Sequence, residues 1–181
     1  MNDKVTLAPE LQVTQWFNSK QPLTLAGLRG RVVLLHAFQM LCPGCVQHGI
    51  PQAQRIFEQF ARDDVVVIGL HTVFEHHDVM MPSALAVFIH EYRLRFPVGV
   101  DAPDGSNAIP LTMRVYDMEG TPTVVVIDRQ GRVRLQEFGH VPNLHLGVAI
   151  GKLLVDPTRP SVELDEIQGN ATSRERGSCG T

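Results

Sequence analysis

The chain is 181 residues long, 44% hydrophobic and 19% charged, with a formal net charge of −3. This is the balance of a soluble globular protein with apolar material for one core plus an appendage. It supplies no basic stripe for nucleic acid, and no apolar run approaches the roughly 18 to 20 residues of a bilayer-crossing helix, so neither nucleic acid nor membrane is an expected partner.

Taken in chain order, Trp16-Phe17 and Leu23-Thr24, separated by the polar Asn18-Ser19-Lys20-Gln21, read as a small N-terminal hairpin. Leu25 to Gly30 then reads as a single turn closed by glycine. Val32 to Phe38 is an apolar run interrupted only by His36, fit for a strand buried on both faces. The helix-compatible segment Val46 to Ala61 follows at once, and Val65 to Leu70 is again apolar on both alternating faces. Strand, helix and strand in that order make a right-handed βαβ unit, so the two strands should be parallel. Pro82 and Ser83 open a second helix, with Leu85, Phe88, Ile89, Tyr92 and Phe96 recurring along one face. Pro97 to Val100 gives a short strand, and a loop rich in Pro, Asp and Gly (Asp101 to Asn107) leads to a short helix, about Pro110 to Met118, with Gly120 as its cap.

Thr123 to Ile127 is a central-strand candidate. The turn Asp128 to Gly131 leads from it into the alternating Arg132 to Gln136, an expected antiparallel partner. Leu144, Val148, Ile150, Leu153 and Leu154 mark a last helix. Beyond it the composition turns to Pro, Gly, Ser, Thr and scattered charge, so the expected organisation is one domain over 1–155 and a flexible polar tail over 156–181.

The centre of the chain is the junction where the first apolar strand ends in Cys42-Pro43-Gly44-Cys45. Two of the three cysteines lie here, which argues against a disulfide-stapled fold and for redox or metal chemistry. Cys42 lies at a helix start, whose N–H groups stabilise a thiolate electrostatically. Pro43 suits the first helical position, because its missing N–H would go unpaired anyway, and Gly44 and Cys45 offer N–H donors to Cys42. Cys45 is one turn on, within bonding reach. The rival readings are two structural cysteines or half a zinc site, for which no second C-x-x-C exists.

This order of elements resembles the thioredoxin-like superfamily over about residues 12 to 155. The residues that carry the resemblance are Leu28-Arg29-Gly30-Arg31 before an apolar strand, the C-x-x-C helix, Gly120-Thr121-Pro122-Thr123 before another apolar strand, and the Ile127-Asp128 to Gly131 hairpin. It is most similar to the redoxin branch that holds the membrane-anchored and cytochrome-maturation thioredoxins, whose extra helix and strand match the segment between Cys45 and Pro122. The resemblance implies an α/β fold with a central mixed β-sheet flanked by helices, an N-terminal hairpin, and an inserted helix and strand between the C-x-x-C helix and a cis-proline. It also implies that Cys42 attacks, that Cys45 resolves, that the Thr121–Pro122 bond is cis, and that these two residues meet the substrate. A proline there presents no N–H to the disulfide facing it. Without the family, Pro122 reads equally as the start of a strand.

Three departures stand out. Leu41 replaces the aromatic residue common before the first cysteine, and Pro43-Gly44 inverts the thioredoxin order Gly-Pro. His36 stands where thioredoxins keep a buried carboxylate that helps move the proton of the second cysteine. A histidine titrates near neutrality and is a candidate proton relay, or else a core histidine satisfied locally. His48, three residues after Cys45, is a candidate for tuning thiol acidity. His71, His76 and His77 follow the second main strand and are placed at the same rim. With Cys42, Cys45 and His48 they form a candidate soft-metal site, against the plainer reading of a solvated histidine-rich loop.

The expected activity is therefore thiol–disulfide exchange by Cys42 and Cys45 on protein or small-molecule disulfides. No cofactor is expected, and the electron donor is unidentified. The N-terminus, Met1-Asn2-Asp3-Lys4-Val5, lacks the layout of a secretory signal, so a cytoplasmic reductase is expected and Asn170-Ala171-Thr172 is read as a chance sequon. Two alternatives remain. A thiol peroxidase would carry the peroxiredoxin pattern Pro-x-x-x-Thr-x-x-Cys, but Gln39 occupies the threonine position. A metal-binding carrier would use the histidines. Cys179 is either a further resolving thiol or a bystander.

Overall fold

In the computed structural model, which describes residues 7–155, the apolar run Val32–Phe38 is buried along its whole length. It forms β2 of a six-stranded mixed sheet made with β1 (Val13–Phe17), β3 (Val65–His71), β4 (Val98–Asp101), β5 (Thr123–Ile127) and β6 (Val133–Phe138), in the order β1-β4-β3-β2-β5-β6. β2 runs parallel to β3, with Val32 opposite Val65 and Phe38 opposite His71, and antiparallel to β5, with Ala37 opposite Thr123. The ends of β2 and β3 and the beginning of β5 therefore reach one rim, and the chain enters or leaves all three there.

A strand covered on both faces sends alternate side chains into two cores. Val32, Leu34 and Phe38 pack with α1 (Ile50–Gln59), α2 (Pro82–Glu91) and α4 (Asn143–Leu154). Val33, Leu35 and Ala37 pack with Leu25, Leu28 and Met113, the last on α3 (Leu111–Val115). Burying each such Val, Leu or Phe contributes about 1.5 to 3 kcal/mol, so β2 is the costliest strand to disrupt.

The expected N-terminal hairpin does not form. Trp16 and Phe17 pair with Gly99 and Val98 of β4 instead of with Leu23-Thr24. Asn18 takes a left-handed φ of 55°, and its amide donates to the carbonyls of Leu94 and Phe96 at 2.7 and 3.1 Å. Glu10 accepts the N–H groups of Leu25 and Ala26 at 2.8 and 2.7 Å, which draws the following chain into the 3-10 turn Ala26–Leu28. These partners are remote in sequence, so the local polar spacer between two apolar pairs misled the reading.

Gly120 does not cap the short helix either. α3 is closed by Asp117 at φ 51°, with the Met118 N–H donating to the Met113 carbonyl at 3.0 Å. Gly120 is needed for packing: a Cβ there would lie 2.9 Å from the Phe138 ring. The other end of α3 is held by the buried Asp101, whose carboxylate accepts the N–H groups of Thr112 and Met113 at 2.9 and 3.0 Å and the Thr72 hydroxyl at 2.9 Å. The inserted helix and strand are present as α2 and β4. The tail expected over 156–181, with Cys179, lies outside the described residues. Among those that are described, no helix is long and apolar enough to cross a membrane.

Candidate active site

Cys42 and Cys45 are joined as a disulfide with Cα atoms 5.2 Å apart, at the start of the helix that follows β2. Pro43 is the first helical residue, as its missing N–H favours. The Cys45 N–H donates to Cys42 Sγ at 3.1 Å. Cys42 is half-buried, whereas Cys45 has no exposed surface. This asymmetry makes Cys42 the accessible sulfur. The helix does not continue as a regular α turn: Cys45–Gly49 form one π turn, with the Ile50 N–H donating to the Cys45 carbonyl, before α1 begins. Such widened turns are rare and concentrate at functional sites.

The Thr121–Pro122 bond is cis, and the Thr121 carbonyl oxygen lies 3.5 Å from Cys42 Sγ. Pro122 is buried against the helix start, and a Cβ on Gly44 would meet its ring at 3.4 Å. The sheet accounts for the meeting, because β5 starts at the rim where β2 ends. Cys42, Cys45, Thr121 and Pro122 are thus brought together.

His36 lies in β2 beneath this arrangement, 1% exposed, its ring parallel to Phe38 at 6.0 Å. Its Nε2 has no hydrogen-bond partner, and burial lowers its pKa to about 4, so it is neutral at physiological pH. His48 is exposed on the helix, its ring 5.0 Å from that of His140.

The histidine-rich loop is not brought together as expected. His71 is 1% exposed inside the sheet, its ring 5.4 Å from Phe38, and burial lowers its pKa to about 4. His76 and His77 are exposed beyond the strand end. The cause is strand parity: His71 is the last residue of β3 and faces the core, while the chain turns outward after it. Among the described residues, no three His, Cys, Asp or Glu side chains are disposed to hold a metal ion, so the metal alternative finds no donor set.

Sequence reading missed three residues. Gln39 is buried, accepts the Phe74 N–H at 3.4 Å and donates to Glu75 at 3.4 Å, which ties the loop before Cys42 to the loop after β3. Gln52 is buried in α1 and donates to the Val141 carbonyl at 2.8 Å and Asn143 Oδ1 at 2.7 Å. With the Gly139 N–H on the Pro122 carbonyl at 2.8 Å, it fastens the 139–143 segment across both halves of the site. Gly49 is the third. The signal in the sequence is a glutamine directly after the apolar strand, and a glycine and a glutamine in the helical segment, none of which reveals a partner.

A family model described as AhpC/TSA matches residues 6–136, well over half the chain. The chain belongs to the AhpC/TSA family. A solved thioredoxin-like superfamily protein is 56% identical to it, with a TM-score of 0.81 over 83% of this chain and 97% of that one. A thiol-disulfide isomerase from Corynebacterium glutamicum is 51% identical, with a TM-score of 0.81 over 85% and 99% of the two chains. A thioredoxin-like protein solved in its oxidised form, 21% identical with a TM-score of 0.68 over 83% and 95%, shares the fold alone. No curated protein matches the chain. The AhpC/TSA chain thus has a thioredoxin-like fold, a mixed sheet flanked by helices, and a C-x-x-C pair at disulfide distance.

Proposed function

We propose that this AhpC/TSA-family chain is a thiol–disulfide oxidoreductase in which Cys42 and Cys45 cycle between dithiol and disulfide. The observation that carries this reading is the difference in access, with Cys42 half-buried beside Thr121 and Cys45 fully enclosed. In the reduced protein the Cys42 thiolate, favoured by the Cys45 N–H, attacks one sulfur of a substrate disulfide. That S–S bond breaks, one substrate thiolate leaves and takes up a proton, and a mixed disulfide remains on Cys42. Cys45 then loses its proton, its thiolate attacks Cys42 Sγ, and the second substrate thiolate departs. Two electrons pass to the substrate, and an external dithiol returns them by the reverse exchange.

In this reading the Thr121 backbone aligns an extended substrate beside Cys42, and Pro122 withholds an N–H from the facing sulfur. His36 is the buried base that relays the Cys45 proton, and His48, three residues after Cys45 and against His140, tunes the thiol pair. The substrate is a protein or small-molecule disulfide, and the protein acts as a reductase in a cytoplasm kept reducing. Purified protein should reduce insulin disulfides in the presence of a dithiol, and both Cys42→Ser and Cys45→Ser should abolish turnover. A wild type that leaves insulin oxidised sinks the reading.

A second reading, thiol peroxidase, draws on the match to the AhpC/TSA family. Buried Gln39 in place of the peroxiredoxin threonine weighs against it. Peroxide consumption that depends on Cys42 and exceeds disulfide reduction would reverse the ranking.

A further inference from the structure

Gly49 closes the π turn and follows Cys45 by four residues, on the same flank of the redox helix. It has no room for a side chain. A Cβ there would overlap Cε1 of His36, lie 2.7 Å from His36 Nε2 and sit 3.3 Å from Cβ of Pro122. The His36 imidazole therefore occupies the notch left by the missing side chain, against the helix backbone and the cis-proline together. In the sheet register His36 lies between Gly69 of β3 and Val124 of β5. Cys45 stands four residues before Gly49 in the same π turn, and His71 of β3 lies beyond the Phe38 ring. β5 and the cis-proline segment contribute no ionisable group.

We propose that Gly49 is a positioning residue whose missing side chain seats His36 on the Cys45 flank of the redox helix, so that Nε2 takes the Cys45 proton when the mixed disulfide resolves. The inference rests on the oxidoreductase reading above. With the ring protonated at Nδ1, the Nε2 lone pair is free to accept. The Cys45 thiol gives up its proton, its thiolate bonds to Cys42 Sγ, the substrate sulfur leaves as a thiolate, and the imidazolium passes the proton to it. Burial makes His36 a weak base while its neighbour is a neutral disulfide. A thiolate forming on the same flank of the helix favours the imidazolium.

The test is the reaction of the reduced protein with 5,5′-dithiobis(2-nitrobenzoate), which releases one thionitrobenzoate when Cys42 attacks and a second when Cys45 resolves. Gly49→Ala should slow the second release relative to the first by about tenfold or more, within the range of lost acid–base catalysis. His36→Ala should do the same and flatten the pH profile of the second release. Because Gly49 acts through His36, Gly49→Ala in the His36→Ala background should match His36→Ala alone within about twofold. Overturning results are an unchanged ratio in Gly49→Ala, or the full Gly49→Ala slowing repeated in the His36→Ala background. If Gly49→Ala alone does not fold, the double variant, which removes the overlap with the imidazole and keeps only the 3.3 Å approach to Pro122, must fold and match His36→Ala; its failure also overturns the proposal. A wild type that never releases the second equivalent breaks the oxidoreductase reading itself. A normal wild type with an unaffected Gly49→Ala removes only the role of the notch.

Discussion

At position 36 an imidazole stands where thioredoxins bury a carboxylate, and burial pushes the two groups in opposite directions. It raises a carboxyl and lowers His36 to about 4, so the imidazole is uncharged at neutral pH. An uncharged buried base is compatible with a closed apolar core. Asp101 is a contrasting residue. Burial raises its pKa, while bonds from Thr112, Met113 and Thr72 oppose the rise. Asp101→Ala leaves two buried N–H groups and a hydroxyl unpaired, so it should destabilise the fold by about 2 to 4 kcal/mol in urea melts. A loss below about 1 kcal/mol would mean that solvent replaces the carboxylate there. Cys42 and Cys45 were legible from spacing alone, because C-x-x-C places both sulfurs within one helical turn. The role of Asp101 was not, because its partners approach from β3 and α3.

The elements expected from periodicity, β2, β3, α2, β5, β6 and α4, are all present; β2, β3 and β5 bury apolar runs, α2 and α4 bury Leu85, Ile89, Leu146 and Ile150, and β6 alternates half-buried and exposed residues at the sheet edge. What periodicity missed is the departure from ideal form. The π turn over Cys45–Gly49 ends on Gly49, where His36 and Pro122 leave no room for a side chain, contacts that no count of apolar spacing contains. The segment after β6 is likewise set by Gln52, which holds it from the helix opposite. Gln52→Ala should detach residues 139–143, costing about 1 to 3 kcal/mol in urea melts and raising amide exchange at Gly139 through Asn143. Unchanged protection there would show that the Gly139 bond to Pro122 suffices.

For the whole molecule, two buried neutral histidines predict the pH dependence of stability. His36 and His71 have folded pKa values of about 4 against an unfolded value near 6.5. Between those values the unfolded chain binds more protons, so stability should fall as pH drops from about 6.5 to about 4, by on the order of 3 kcal/mol per histidine at most. Asp101 works in the opposite sense, since its raised pKa means that acid favours the folded form relative to the unfolded one. Thermal melts from pH 7 down to pH 4.5 should therefore show a declining midpoint. His71 also leaves both ring nitrogens unpartnered in the core. His71→Leu should melt at least as high as wild type at pH 7 and show a shallower acid decline. A variant that melts lower at pH 7 with an undiminished acid decline would refute this account of His71.

The amino-acid order by itself determined the strand–C-x-x-C–helix junction, the parallel β2–β3 unit, the strand after Pro122 and the family resemblance, because each is written in contiguous residues with a fixed period. Tertiary structure decided the partner of β1, the burial of His71 apart from His76 and His77, and the seating of His36 against Gly49. Those outcomes depend on which remote backbone occupies a given volume. A glycine in one element records that volume only when the side chain filling it comes from another.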